Sequence, residues 1–332
     1  MLVITPTYTT CLPQNKGIVL VIDHQPLSHI HSIEADLETG SIYYDQSYNS
    51  IEQIIKDNNI DVEHVYMNHY LEYTDFPYPH TCVPHRAFFA ECLDFLEHSN
   101  TTEYSDKQNC FVMMNKLREN RLLVSAWFKQ NKNIDFDYTQ GWEITDNDFS
   151  KVQEYTRLTN YSFDDFLTKK FIPYKNQKAQ KYYRNIGLGN ASMWNDVFKE
   201  KFCSSTFAII TEPVFWEKAC SITEKYLMSI YGCCFPIFCG GYKLPEKLTS
   251  IGFDVFNDVV DHSYQYELHP ALRVCNALEH NRKLLENSNV KKLDFMDRHL
   301  KNLSLVRDNL DKFISQFDDI SNFQLPDNIR KW

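Results

Sequence analysis

FAIITEPVFWEKACSITEKYLMSIYGCCFPIFCGGYKLPEKLTSIGFDVFNDVVDHSY, the stretch from Phe207 to Tyr264, decides the fold. One apolar run, Phe207 to Ile210, ends in Thr211-Glu212, and a second, Pro236 to Cys239, ends in Gly240-Gly241. Between them a helical pattern begins near Ser221 and stops at Gly232. Strand, helix and strand in that order close into a parallel sheet. The carboxyl ends of both strands and the amino end of a helix then share one rim, where open α/β sheets hold their ligands. Thr211, Glu212, Thr223, Glu224, Lys225, Gly240 and Gly241 are expected on that rim.

Ser221-Ile222-Thr223-Glu224 fits a capping box, with Ser221 as N-cap and Glu224 reaching back to its amide. Lys225 is out of place in such a start, because a cation in the first turn opposes the helix dipole. An anion in front of the helix would account for it, since free amides and positive charge together make a phosphate site. Gly240-Gly241 reads either as a plain turn or as a close backbone approach to a ligand.

A second patch points the same way. Cys110 to Met114 reads as a buried strand, followed by Asn115-Lys116-Leu117-Arg118-Glu119-Asn120-Arg121 and a helix through Trp127. A basic loop between a strand and a helix amino end is an anion-binding arrangement. The plainer alternative is a solvated basic face.

In order and spacing, several of these residues resemble the donor-binding domain of nucleotide-sugar glycosyltransferases. They are Ile210-Thr211-Glu212, Thr223-Glu224-Lys225, Phe235-Pro236-Ile237-Phe238, Gly252-Phe253, Val255-Phe256, Asp258 and Asp261-His262-Ser263-Tyr264. The resemblance covers roughly Cys203 to Leu285. It is narrowest to the α-1,3-fucosyltransferase type and to a group of phage and bacterial glycosyltransferases. His262 stands where that pattern has Glu, and Gln265 where it ends in Asp.

The resemblance implies an α/β protein of GT-B type, in which two Rossmann-like domains face a cleft and a C-terminal helix packs back. It implies a nucleoside-diphosphate sugar as donor substrate and no other cofactor. Glu224 would bond the ribose hydroxyls, and Lys116, Arg118, Arg121 and Lys225 would neutralise the diphosphate. Thr211 and Glu212 would face the sugar or the phosphates. The sequence has no Asp-x-Asp beside the proposed donor strands, so transfer without a metal is expected. In an inverting reaction a carboxylate or His of the first domain must deprotonate the acceptor. Asp23 and His24, which end a central strand, are the candidate bases, although each also suits a turn.

The rest of the chain allows this organisation. Its 332 residues suit one large or two medium domains. The expected division is 1–106 for an acceptor-side α/β domain, 107–288 for the donor domain with a polar insert over about 132–200, and 289–332 for a terminal helix. In the first part Gly17 to Ile22 and Glu63 to Asn68 read as strands, and Ser50 to Asn58 as a helix. Thr74 to Pro84 reads as a loop, and Arg86 to Glu97 as an amphipathic helix. The insert contains the basic run Gln177 to Arg184. From Asn289 onward one long helix is expected, with Leu293, Met296, Leu300, Leu303, Leu310, Phe313 and Phe317 as its apolar stripe.

Composition narrows the partners. A formal net charge of −10 at pH 7 argues against a broad non-specific nucleic-acid surface. Local basic grooves remain open to it. A glycan acceptor follows from the fucosyltransferase side. The Asn-, Lys-, Tyr- and Phe-rich, Gly-poor composition looks phage-like and adds a second acceptor, a hydroxymethylated base of phage DNA flipped into the cleft. The non-enzymatic alternative is a catalytically inactive glycosyltransferase fold that serves as a binding protein. Met1 to Gln14 has neither a basic start nor a long apolar core, so no secretory signal is expected. No apolar run approaches the ~20 residues of a membrane span. The ten Cys lie mostly in apolar stretches and read as reduced thiols of a cytoplasmic protein. His80-x-Cys82-x-x-His85 has a metal-like spacing, but it lacks a fourth ligand.

Overall fold

Two largely parallel sheets organise the chain in the computed structural model. It describes residues 2–4, 9–12, 16–21, 35–36, 41–42, 51–68, 71–73, 75–84, 89–90, 92–93, 103–114, 118–140, 196–213, 219–287 and 289–321. The first part contains β1 (Leu2–Ile4), β2 (Thr9–Cys11), β3 (Ile18–Val21), a ribbon of β4 (Ala35–Asp36) and β5 (Ser41–Ile42), and helix α1 (Ile51–Asp57). It continues with β6 (His64–Asn68), β7 (Glu72–Tyr73) and β8 (His80–Val83). The sheet order is β2-β1-β3-β6-β8, and only β2 runs antiparallel to its neighbour. Side chains alternate as a strand requires. Val19, Val21, Val65 and Met67 pack with Ile51 and Ile55 of α1, while Leu20 and Val83 face the other way.

The expected strands at Gly17–Ile22 and Glu63–Asn68 and the helix at Ser50–Asn58 are therefore present. The expected loop from Thr74 to Pro84 is not wholly a loop, because β8 runs through it. His80 to Val83 find a parallel partner in β6, a long-range pairing that local Pro-rich composition does not reveal.

The second part contains β9 (Gln108–Met114), α2 (Glu119–Gln130), β10 (Phe136–Gln140), α3 (Asp196–Ser204), β11 (Ser205–Ile210) and β12 (Ala219–Cys220). After these come α4 (Glu224–Tyr231), β13 (Phe235–Phe238), α5 (Leu244–Ser250), α6 (Pro270–His280), α7 (Arg282–Asn287) and α8 (Met296–Ser321). Its sheet, β10-β9-β11-β13, is parallel throughout. Cys110, Val112, Met114, Phe207, Ile209, Phe235 and Ile237 pack in one cluster with α2 and α6. Phe111, Met113, Ala208, Ile210 and Phe238 pack in another with α4, α5 and α8. Burial on both faces explains the unbroken apolar runs FAII and CFVMM.

The chain leaves β9 through α2 to β10 on one side, and leaves β11 through α4 to β13 on the other. Strand order therefore reverses between β9 and β11, which makes the carboxyl ends of those two strands the topological switch point. Strand β10 falls inside the expected polar insert. Gln177 to Arg184 lies outside the described residues.

The terminal helix differs from expectation in its start and in part of its face. Lys292–Phe295 is a 3₁₀ turn, and α8 begins at Met296. Leu293 and Leu300 are exposed, whereas Leu303, Leu310 and Phe313 of the expected stripe do pack on the core, beside the buried His299, Asn302, Val306 and Asn309. Asn302 accepts the Asp254 N–H and donates to the Asp254 carbonyl, both at 2.7 Å. Polar side chains that cap a turn's backbone thus occupy positions on the face that an apolar stripe would fill. Phe313 meets Phe89 edge-on at 5.3 Å, so α8 does pack back on the first part of the chain. One buried cluster joins Leu20, Val83 and Phe89 to Phe111, Tyr226 and Phe313. No helix among the described residues is long and apolar enough to cross a membrane. All ten cysteines are free thiols.

Candidate functional site at the carboxyl rim

At the switch point the ends of β9, β11 and β13 meet the amino ends of α2 and α4. The Thr211 hydroxyl donates to the Met113 carbonyl at 2.7 Å, tying β11 to β9. The Arg121 guanidinium donates to the Thr211 carbonyl at 3.4 Å. Asn120, wholly buried in the first turn of α2, donates to the carbonyls of Glu212 and Cys239, each at 2.8 Å. Its amide thus spans the ends of β11 and β13. In the sequence Asn120 is one letter of a basic loop. Its only signal there is a short polar residue at the head of an otherwise buried helix.

The start of α4 is not built as the capping box predicts. Its N-cap is Thr223, whose hydroxyl oxygen accepts from the Lys225 N–H at 3.5 Å. The Thr223 N–H is satisfied by Glu212 Oε1 at 3.0 Å, and the Thr223 hydroxyl donates to Glu212 Oε2 at 2.6 Å. A carboxylate from the preceding strand end takes the reciprocal place at the N-cap amide that the capping box gives to Glu224, which leaves Glu224 free for another partner. That partner is Lys225 Nζ, at 2.6 Å, and the same ammonium reaches Thr223 Oγ1 at 3.3 Å. Ser221, the expected cap, has a buried hydroxyl with no hydrogen-bond partner among the described residues.

These contacts push the two carboxyls apart in acidity. Burial raises Glu212 to about 7, against the opposing pull of Lys225 and Thr223. Burial also works to raise Glu224, but the Lys225 charge and hydrogen bond outweigh it and hold that carboxyl below its usual value. Glu212 and Glu224 are thus buried with two cations, Lys225 and Arg121, and no one of the four is more than 8 % exposed; Glu119, in the first turn of α2, is a third buried carboxyl. Buried charges persist when paired or hydrogen-bonded, as Glu212, Glu224 and Lys225 are here.

The glycines serve different ends. A Cβ on Gly241 would lie 2.1 Å from the Ala219 carbonyl oxygen, so the close approach at this position is to β12. A Cβ on Gly240 would meet Leu244 at 3.2 Å and Glu212 at 3.3 Å. Arg273 of α6, which no sequence motif marks, is buried and donates to the carbonyls of Gly240 at 3.2 Å and Glu267 at 2.7 Å. Burial lowers its pKa to about 10.

The loop that departs from the glycosyltransferase pattern is braced internally. The Tyr264 hydroxyl accepts the Phe238 N–H at 2.9 Å and lies 3.0 Å from His262 Nδ1. His262 Nε2 is 2.9 Å from the Val255 carbonyl, and burial pushes the imidazole down to about 4. Gln265 accepts the Glu246 N–H at 2.8 Å, in the first turn of α5.

The remaining residues expected from the sequence divide. Arg118 occupies the N-cap position of α2 without a side-chain cap bond. Lys116, Asp23 and His24 lie outside the described residues. His80 Nδ1 is 2.9 Å from the Tyr78 carbonyl, and His85 lies outside the described residues. Among the described residues no cluster of three His, Cys, Asp or Glu side chains forms. An Asp-x-Asp does reach the second sheet, at Asp135-Phe136-Asp137. It stands at the amino end of β10, across the sheet from the rim, and Asp137 is paired with Lys201 at 2.6 Å. Two surface depressions lie elsewhere, one along 257–266 and one at 128–136.

Comparisons with protein families, curated proteins and solved structures give no match. Fold and rim together define an α/β protein whose Rossmann-like, doubly wound parallel sheet carries a braced charge cluster at its switch point.

Proposed function

We propose that this chain is a glycosyltransferase that binds a nucleoside-diphosphate sugar at the carboxyl rim of its second sheet. The observation that carries the reading is the buried set Glu212, Glu224, Lys225 and Arg121 at the topological switch point. A core needs no such charges, and crevices at switch points are where open α/β sheets hold ligands. In this reading Lys225, Arg121, Arg118 and Lys116 neutralise the diphosphate, and Glu224 turns from Lys225 to the ribose hydroxyls. Thr211 and Glu212 hold the strand end and the helix start in register beneath them. The two sheets act as the facing domains of a GT-B enzyme, with 1–106 on the acceptor side and Asp23 or His24 as base. The acceptor is a glycan or a hydroxymethylated base of phage DNA, the location is cytoplasmic, and transfer continues in EDTA.

The mutual pairing of Glu224 and Lys225 favours a second reading, a glycosyltransferase fold that binds without catalysis. A thermal-shift series with UDP-, GDP-, ADP-, CMP- and dTDP-sugars tests the first step of both. A donor that binds the folded state raises the melting temperature by mass action. Turnover assays with the donor that binds then separate the two, and no shift with any donor removes the site.

A further inference from the structure

The Glu212 carboxylate is lodged where an incoming anion would also sit, at the amino end of α4. Both its oxygens are held by Thr223. From α4 it faces Thr223, Glu224 and Lys225. From α2, Asn120 donates to its own carbonyl and Arg121 to that of Thr211. From the end of β13, its Cβ packs near Gly240. With Glu212 ionised, Glu212, Glu224, Lys225 and Arg121 sum to zero charge, and Glu119, buried in the first turn of α2, adds a further carboxyl to the rim. A doubly charged pyrophosphate arriving at this rim would add two negative charges beside these buried carboxyls, which is costly at low dielectric.

We propose that Glu212 is the proton-coupled element of the rim: an anionic ligand binds there together with one proton, taken from solvent onto the Glu212 carboxylate. No other bond is made or broken. The protonated carboxyl donates to Thr223 Oγ1, which reverses from donor to acceptor as Lys225 Nζ leaves it for the ligand, while the other oxygen keeps the Thr223 N–H. The Thr223 hydroxyl hydrogen is then available to the ligand. Burial has already raised Glu212 to about 7, so the added anion has only a short way to move it. The inference rests on the donor-site reading and adds a proton to it.

Calorimetry in two buffers of different ionisation enthalpy measures the proton count directly. UDP-glucose, GDP-mannose and dTDP-glucose are suitable probes, because the pyrophosphate diester does not titrate near neutrality and any proton must come to the protein. Wild type is expected to take up close to one proton per ligand at pH 8 and less at pH 6. Its affinity should fall about tenfold per pH unit above neutrality. Glu212→Gln, already neutral, should take up none, bind more tightly than wild type at pH 8, and lose the pH dependence. Binding without proton uptake in the wild type, or uptake that persists in Glu212→Gln, overturns the coupling and leaves the donor site standing. No binding by any probe overturns both. The wild-type measurement holds even if the variant fails to fold.

Discussion

The carboxylate of Glu212 holds Thr223 twice, taking its backbone N–H at 3.0 Å and its hydroxyl at 2.6 Å. The end of β11 is thereby fastened to the start of α4, and a helix amide that would otherwise be orphaned is satisfied from outside the helix. Glu224 and Lys225 are consequently free to pair with each other at the helix mouth.

Glu212 should leave a pH signature in stability. Its folded pKa, about 7, lies above its ordinary value of 4.5, so the folded state binds the proton more tightly than the unfolded chain. The stability that comes from this is fully present below pH 4.5 and is lost as pH rises towards 7. His262 acts oppositely. It is buried neutral, with a pKa of about 4 against 6.5, and its contribution is lost as pH falls through that interval. The two windows overlap, so the clean measure is a difference. Denaturant unfolding of Glu212→Gln and wild type should show the variant gaining, relative to wild type, on the order of 2–3 kcal/mol between pH 5 and pH 8. A difference independent of pH would mean that Glu212 keeps an ordinary acidity in the fold.

Lys225→Ala should cost stability as well as ligand binding. It strands the buried Glu224 carboxylate, whose partner sits at 2.6 Å. Breaking a buried pair from one side costs about 3–5 kcal/mol. Lys225→Met with Glu224→Gln removes both charges and should recover most of that loss. Additive losses in the double variant would show that the pair is not coupled.

Gly241 and Gly240 should differ sharply as alanines. At Gly241 the new methyl would meet a backbone oxygen at 2.1 Å, so β12 must move. At Gly240 it would meet the Leu244 and Glu212 side chains at 3.2 and 3.3 Å. Gly241→Ala is expected to lose roughly 3 kcal/mol or more and Gly240→Ala roughly 1 kcal/mol, by thermal or chemical unfolding. Equal losses would contradict the close approach to β12.

The β11–α4–β13 unit is legible in the sequence because strands buried on both faces are unbroken apolar runs, and Gly232 punctuates the helix end. The gathering of Thr211, Glu212, Thr223, Glu224, Lys225 and Gly240 on one rim follows from that topology. What pairs with what does not follow. Ser221-x-x-Glu224 satisfies the local capping rule, yet the N-cap is Thr223, and its amide and hydroxyl are held by Glu212, eleven residues earlier, a contact that only the folded sheet creates. Asn120 and Arg273 are silent in the sequence for the same reason, since their partners are carbonyls on distant strand ends. On α8 the apolar count misleads because Asn302 and Asn309 take buried positions by bonding the backbone at Asp254 and Ile251. β8 escapes local reading because its partner, β6, lies outside its own sequence neighbourhood.

The most direct test of the central claim is a calorimetric titration of the best-binding nucleotide sugar into wild type and Glu224→Gln, with melting curves alongside. As a ribose ligand the Glu224 carboxylate accepts two charge-assisted bonds, and Gln can accept with only one oxygen. Losing one such bond should weaken binding by roughly ten- to hundredfold, or about 1.5–3 kcal/mol. Unchanged affinity in a folded Glu224→Gln, or a wild type that binds no nucleotide sugar, would contradict the account and leave the rim as a structural brace.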